Sequence, residues 1–260
     1  MRWLVATGLL CLAGGAAANA EPICPDRPTK GTGTCTVAAG HLQVETALID
    51  WTHDETGGVT SNYSVLGATL VKYGISGRAD IELGIVPFET LKAKAEGFDQ
   101  RLSGIGDMVA RTKVRLTRDD SPMQIAIDPF VKIPTAKHDL GNGKVEAGLV
   151  MPFALALGGP FSIASAPEID FRSDADGHEY HPATVQLIDF GIAATPRLSF
   201  TAELWGQWDW NPAATVKQYS ADAAIGYLLN DNLQIDGGAN FGLNRQTPDL
   251  EVYTGVSARF

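Results

Sequence analysis

The sequence predicts an all-β chain: a transmembrane antiparallel up-and-down β-barrel of about twelve strands. Three observations carry this. Apolar and polar residues alternate with period two over segment after segment, as in strands with one apolar and one wet face. The connections alternate between tight turns (near Gly77, Asp119, Gly159, Pro196 and Asp231) and longer polar loops, and the number of segments is even. The longest apolar run after the N-terminal segment, Ala147 to Leu157, is too short for a membrane helix and contains Pro152. Of the 260 residues, 45% are hydrophobic, and mean hydropathy is −0.01. Such a value argues against a helical membrane protein but suits a barrel, whose alternation averages out.

The elements follow in order. Residues 1–20 read as a signal peptide: Arg2 supplies the positive start, Trp3 to Gly14 the short apolar run, and Ala18-Asn19-Ala20 the small-x-small cleavage site. Its removal takes away one charge, Arg2, and leaves 19 basic against 30 acidic residues. An acidic chain without a basic stripe argues against a nucleic-acid partner. Residues 21–40 form a Pro- and Gly-rich segment with two cysteines, Cys24 and Cys35, an even count that favours a disulfide in an exported chain. The short loop it closes is worth roughly 2–3 kcal/mol by chain entropy.

The barrel is expected over residues 41–260. His41 to Trp51 alternates, although Ile49 and Trp51 blur the pattern. A polar loop, HDETGGVTSN, follows, and periodicity assigns no face to Ser64–Ile75. In Arg78–Phe88 the outward set is Ala79, Ile81, Leu83 and Ile85, with Asp80 and Glu82 inward; a longer polar loop is expected to about Ser103. Asp107–Leu116 puts Arg111, Lys113 and Arg115 on one face, and three cations in a row need a wet or paired environment. Pairing these two strands as a hairpin is expected to set Asp80 opposite Arg115 and Glu82 opposite Lys113, a charge ladder in the lumen. Met123–Ile133 turns Asp128 and Lys132 inward; Val145–Leu157 and Phe161–Phe171 alternate clearly, whereas Ala183–Ala193 is weak and its facing unassigned. Leu198–Trp210 puts Glu203 inside, and Gln218–Leu229, Leu233–Asn244 and Leu250–Phe260 complete the set. Aromatics near strand ends, such as Tyr73, Trp208, Trp210 and Tyr227, suit interfacial girdles.

The last strand, LEVYTGVSARF, resembles the closing strand of bacterial outer-membrane barrels, and the matching residues are Tyr253, Gly255, Ala258 and Phe260. That resemblance implies recognition by barrel assembly machinery. The segments AGHLQVETALIDW, KYGISGRADIELGIVPFE, GIGDMVARTKVRL, DPFVKIPTAK and FTAELWGQW resemble the MetA-pathway of phenol degradation family over roughly residues 38–260. The resemblance implies an outer-membrane transporter for small molecules, with aromatic or hydrophobic catabolic substrates as the suggested class. The segment between the N-terminal cysteines and the first strand has no counterpart in it. The expected surroundings are outer-membrane lipid, with the chain located in the bacterial outer membrane after export.

The catalytic search finds no Gly-x-Ser-x-Gly elbow, phosphate loop or His-Glu-x-x-His. His178-Glu179-Tyr180-His181 reads as a solvated external loop rather than a metal site. No enzyme activity, cofactor or metal is therefore expected. The expected function is a channel whose lumen is lined by Asp80, Glu82, Arg111, Lys113, Arg115, Asp128, Lys132 and Glu203. Two alternatives stay open at this point: a structural or adhesion barrel without transport, and an outer-membrane lipid hydrolase.

Overall fold

The computed structural model describes residues 23–118, 120–137 and 139–260. The expected signal peptide, residues 1–20, and the turn residue Asp119 lie outside the described residues. From residue 42 onward the chain is antiparallel β-structure, with no helix among the described residues. Seven staves of the wall are single strands, and five are broken once each by a glycine, a proline or a short irregular stretch.

The first stave is β1 (Leu42–Thr56). The second is β2 (Val59–Leu66) plus β3 (Ala68–Ser76), broken at Gly67. The third is β4 (Ala79–Ile85) plus β5 (Phe88–Ala95), broken at Val86-Pro87. The fourth is β6 (Phe98–Gly104) plus β7 (Met108–Arg115), and the fifth is β8 (Met123–Ile133). The sixth, β9 (Glu146–Val150) plus β10 (Phe153–Gly158), and the seventh, β11 (Phe161–Ser165) plus β12 (Glu168–Ser173), are broken at Pro152 and Pro167. The remaining staves are β13 (Tyr180–Ala193), β14 (Leu198–Asp209), β15 (Val216–Asn230), β16 (Leu233–Gly242) and β17 (Leu250–Arg259). Proline cannot donate to a ladder, which is why three of the breaks fall where they do.

Each stave pairs antiparallel with the next, and β17 pairs back onto β1 from Arg259–Gln43 to Leu250–His53. The sheet is therefore closed, a twelve-stave barrel with no free long edge. Its outer surface is apolar: Ile81, Leu83, Leu116, Leu149, Leu155, Ile188, Phe200, Leu204 and Ile225 are all exposed. Its inner surface is polar, and the fully buried side chains include Lys72, Lys113, Gln43, Asp80 and Asp128. A protein with lipid outside and ions inside inverts the soluble arrangement, and this is an outer-membrane barrel.

Two irregularities explain facings that periodicity blurred or left open. In β1 the register slips between Ala47 and Ile49, so Leu48 and Ile49 are both exposed and Asp50 returns inward. The neighbouring stave changes parity at Gly67 (φ +71°), with Val65 buried on one side of it and Lys72 on the other. No single alternation covers Ser64–Ile75 because two phases meet there. In β13 the lumen face is itself apolar (Ala183, Val185, Leu187) while Gln186 points outward, so binary patterning gives no contrast.

Three sequence expectations are corrected. The polar stretches 53–62 and 89–103 are not loops but hairpin extensions, turned at Gly57-Gly58 and at Glu96-Gly97. Beyond the membrane both faces meet water, so these rungs lack the apolar alternation that marks the rest. The charge ladder also sits two residues from the expected register: Asp80 faces Lys113 and Glu82 faces Arg111. The two-residue turn sets Ala95 opposite Phe98, and that register continues unshifted into β4 and β7. Finally, His181 is a buried strand residue in β13, not part of a solvated loop.

Candidate functional site: a stapled finger in the lumen

Residues 23–41 do not hang outside the barrel. This segment begins at the short-turn rim, where the Ile23 amide donates to the Asp231 carbonyl (2.7 Å). It runs into the lumen, turns back, and leaves at the same rim, where the Gly40 amide meets the Gly74 carbonyl (2.8 Å). Cys24 and Cys35 form a disulfide across the neck of this finger, with Cα atoms 6.1 Å apart.

The finger is held by ion pairs to the wall. Asp26 lies between two lysines that are almost wholly buried: Lys72 Nζ is 2.6 Å from its Oδ2 and Lys113 Nζ 2.6 Å from its Oδ1. The same lysines face Glu45 (2.7 Å from Lys72) and Glu82 (3.5 Å from Lys113). Burial alone would raise the Asp26 carboxyl, but the two ammonium groups outweigh it and hold the group well below the usual carboxylate range. Arg27 grips Asp236 at 2.8 Å through Nη2 and 3.1 Å through Nε, and its guanidinium lies 5.8 Å from the Tyr253 ring centroid. Lys30, furthest in, donates to Ser220 (2.9 Å), pairs with Asp222 (3.6 Å) and Glu251 (3.9 Å), and sits 4.4 Å above the Trp205 ring. The Val37 amide donates to Asp80 (2.7 Å) on the way out.

The wall is uneven in charge. On one side β3, β7, β8 and β12 turn Lys72, Arg111, Lys113, Lys132 and Arg172 inward. On the other, Asp189, Glu203, Asp222, Asn240 and Glu251 occupy directly opposed positions on successive strands, β13 to β17. Both Glu203 carboxylate oxygens, Asp189 Oδ1 and Asp222 Oδ1 are buried without a hydrogen-bond donor among the described residues. Arg27 and Lys30 are the cations the finger brings to this acidic side.

The residues named from sequence are placed as follows. Asp80, Glu82 and Lys113 face the finger; Arg111 pairs with Asp128 at 3.4 Å and lies over Phe130. Lys132 bridges Asp107 (3.3 Å) and Glu146 (2.9 Å), Arg115 donates to the Gly77 carbonyl at the rim, and Glu203 belongs to the acidic row. Tyr253 and Gly255 point into the barrel, whereas Phe260 is 72% exposed at the rim. A Cβ on Gly255 would overlap the Arg27 guanidinium, so this glycine makes room for the finger.

Patterning missed Asp26, Arg27 and Lys30 because a short loop without periodicity shows no facing. Their signal was charge placed between two cysteines. It also missed the network in which His181 meets Asp174 (2.6 Å) and Asp209 (2.8 Å) while Arg172 joins Asp209 to Asp170. That network lines a cavity of about 480 Å³ at the long-loop end. A second cavity, about 550 Å³, opens at the opposite rim around Cys24, Cys35, Arg115 and Phe260. Between them the lumen is not wholly polar: Val150, Ala166 and Leu187 cluster with Phe130 and Trp205.

Wall, finger and lipid face define a class, an outer-membrane β-barrel with an occupied lumen. Over residues 25–260 the chain matches the family described as "Putative MetA-pathway of phenol degradation", and it belongs to that family. Among solved structures it is similar to the COG4313 outer membrane channel from Pseudomonas putida F1: TM-score 0.70, 14% identity, 90% of this chain and 100% of that one. It is also similar to the beta domain of the Bordetella autotransporter BrkA (TM-score 0.55, 10% identity, 85% and 100% covered). The translocator domain of the autotransporter NalP from Neisseria meningitidis gives 0.52 and 10%, with 86% and 90% covered. At these identities the likeness concerns the fold. No curated protein matches the sequence.

Proposed function

We propose that this protein is a channel for small molecules across the outer membrane, gated by the finger of residues 23–41, and that its substrates carry an aromatic or otherwise apolar body. The observation that carries the reading is the finger itself. A purely structural barrel gains nothing from burying Asp26 between Lys72 and Lys113, since a buried ion pair contributes little net stability over apolar packing. An occupied lumen whose occupant is held by a few ion pairs can instead be opened by competing for them. The apolar cluster of Val150, Leu187, Phe130 and Trp205 beside the charged track supports an amphipathic substrate, with the ring against the cluster and polar atoms on the track. The name of the matched family and the description of the Pseudomonas barrel as a channel agree with this reading.

The test is single-channel recording in planar bilayers, comparing the intact chain with Asp26→Asn and with a chain lacking the finger. Rare or small steps from the intact chain and frequent discrete steps from both variants are expected. Verified insertion of a finger-less barrel with no conductance removes the channel reading.

A further inference from the structure

The outer surface carries one feature unrelated to the lumen. On the β5–β6 hairpin, Glu89 points inward to the Tyr63 hydroxyl, so alternation turns Thr90, Lys92 and Lys94 outward. Register sets Arg101 directly opposite Lys92 and Asp99 opposite Lys94, on the same outer face. Lys92, Lys94 and Arg101 are all exposed, and none forms an ion pair with a described residue. Like charges directly opposed across a ladder destabilise it unless an anion lies between them. In a chain of net charge −10, such a cluster is not explained by overall composition.

Its height is informative. Phe88, Ile85 and Leu66 are exposed members of the apolar band at the base of this hairpin. Lys92 lies four residues beyond Phe88, about 13 Å along a strand, or about 10 Å along the membrane normal at the usual tilt. In the neighbouring staves the same outward row contains Asn62 and His53, with Trp51 stacked on His53 as an interfacial aromatic. The cations therefore stand just above the hydrocarbon, at the long-loop end, where the headgroups of the outer leaflet lie.

We propose that the outward face of the β5–β6 hairpin, built on the Lys92–Arg101 pair with Lys94 beside it, binds the phosphate groups of a phosphorylated glycolipid of the lipid A class. The guanidinium offers a forked donor to phosphate oxygens and the ammonium groups add point charges. The glycolipid's acyl chains extend down the apolar wall below.

Native mass spectrometry of the detergent-solubilised full chain tests this, with bisphosphorylated lipid A, its dephosphorylated form and inorganic phosphate as probes. Retained adducts are expected for the bisphosphorylated lipid alone. K92Q/R101Q is expected to weaken its binding about tenfold or more, roughly 1.4 kcal/mol or above, while K92R/R101K retains most of it. K217Q, a lone outward cation on another stave, serves as the unaffected control. Equal binding of the dephosphorylated lipid overturns the proposal without any variant. So does K92Q/R101Q binding within about twofold of the unaltered chain, a difference below about 0.5 kcal/mol. Inorganic phosphate displacing the lipid and binding in its place assigns an adventitious anion site instead.

Discussion

At the residue scale, the finger depends on a few side chains whose partners cannot relax into water. Asp26 is the clearest. Replacing it with Asn takes the 2.6 Å carboxylate from both Lys72 and Lys113, and leaves Lys72 with Glu45 and Lys113 with Glu82 at 3.5 Å. Unpairing buried charge typically costs about 3–5 kcal/mol, so Asp26→Asn is expected to undock the finger, read as more channel openings and a lower melting temperature. The pH dependence follows from the sign of the shift. The folded-state pKa of Asp26 is depressed, so its contribution is present above the ordinary carboxylate range and disappears only as pH falls through the depressed value. Acidification from about pH 7 to about pH 5 is therefore expected to leave Asp26-dependent closure intact. If conductance rises in that window equally in the unaltered chain and in the Asp26→Asn variant, the rise belongs to other carboxyls. Gly255 offers a second test. Gly255→Ala is expected to push Arg27 off Asp236, and the cost should vanish in an Arg27→Ala background, a coupling that a double-mutant cycle measures.

At the element scale, the staple and the hairpins set what can move. The Cys24–Cys35 bridge closes a loop with a sequence separation of 11 and holds both arms of the finger together at the rim. Replacing both cysteines by serine is expected to lower finger stability by about 2–3 kcal/mol without unfolding the wall, because the ladders from β1 to β17 do not pass through it. The check is limited proteolysis: faster cleavage within residues 23–36 with the barrel fragment intact. The breaks at Gly67, Pro152 and Pro167 work in the opposite sense, since each changes parity or removes a donor and so sets which side chains reach the lumen.

At the scale of the whole molecule, charge is uneven around the lumen: the β13–β17 wall is acidic, whereas the cations of the other side are interleaved with Asp80, Glu82, Asp128 and Asp170. Asp189, Glu203, Asp222, Asp236 and Glu251 occupy the β13–β17 side, and Arg27 and Lys30 of the finger offset them. Without the finger this wall is acidic. The finger-less barrel is expected to prefer cations, seen as a reversal potential shifted toward the cation equilibrium in asymmetric salt. Anion selectivity would contradict the charge map. Charge reversal at Lys113 is expected to act first by unseating Asp26, so its effect on selectivity should be larger in the intact chain than in the finger-less one.

The alternation of Ile81, Leu83 and Ile85 with Asp80 and Glu82, repeated through the staves, was enough to specify a closed barrel with lipid outside. Facing depends only on local period two, and lipid demands it at every rung. The count of twelve strands was legible for the same reason. Tertiary structure alone decided the parity changes at Leu48 and Gly67, the register that pairs Asp80 with Lys113, and the path of residues 23–41. Each depends on contacts between segments far apart in the chain: Asp26 meets Lys113, Arg27 meets Asp236, and Gly255 is open because Arg27 must pass. No local pattern encodes such a meeting, and only closure of the barrel around the finger creates it.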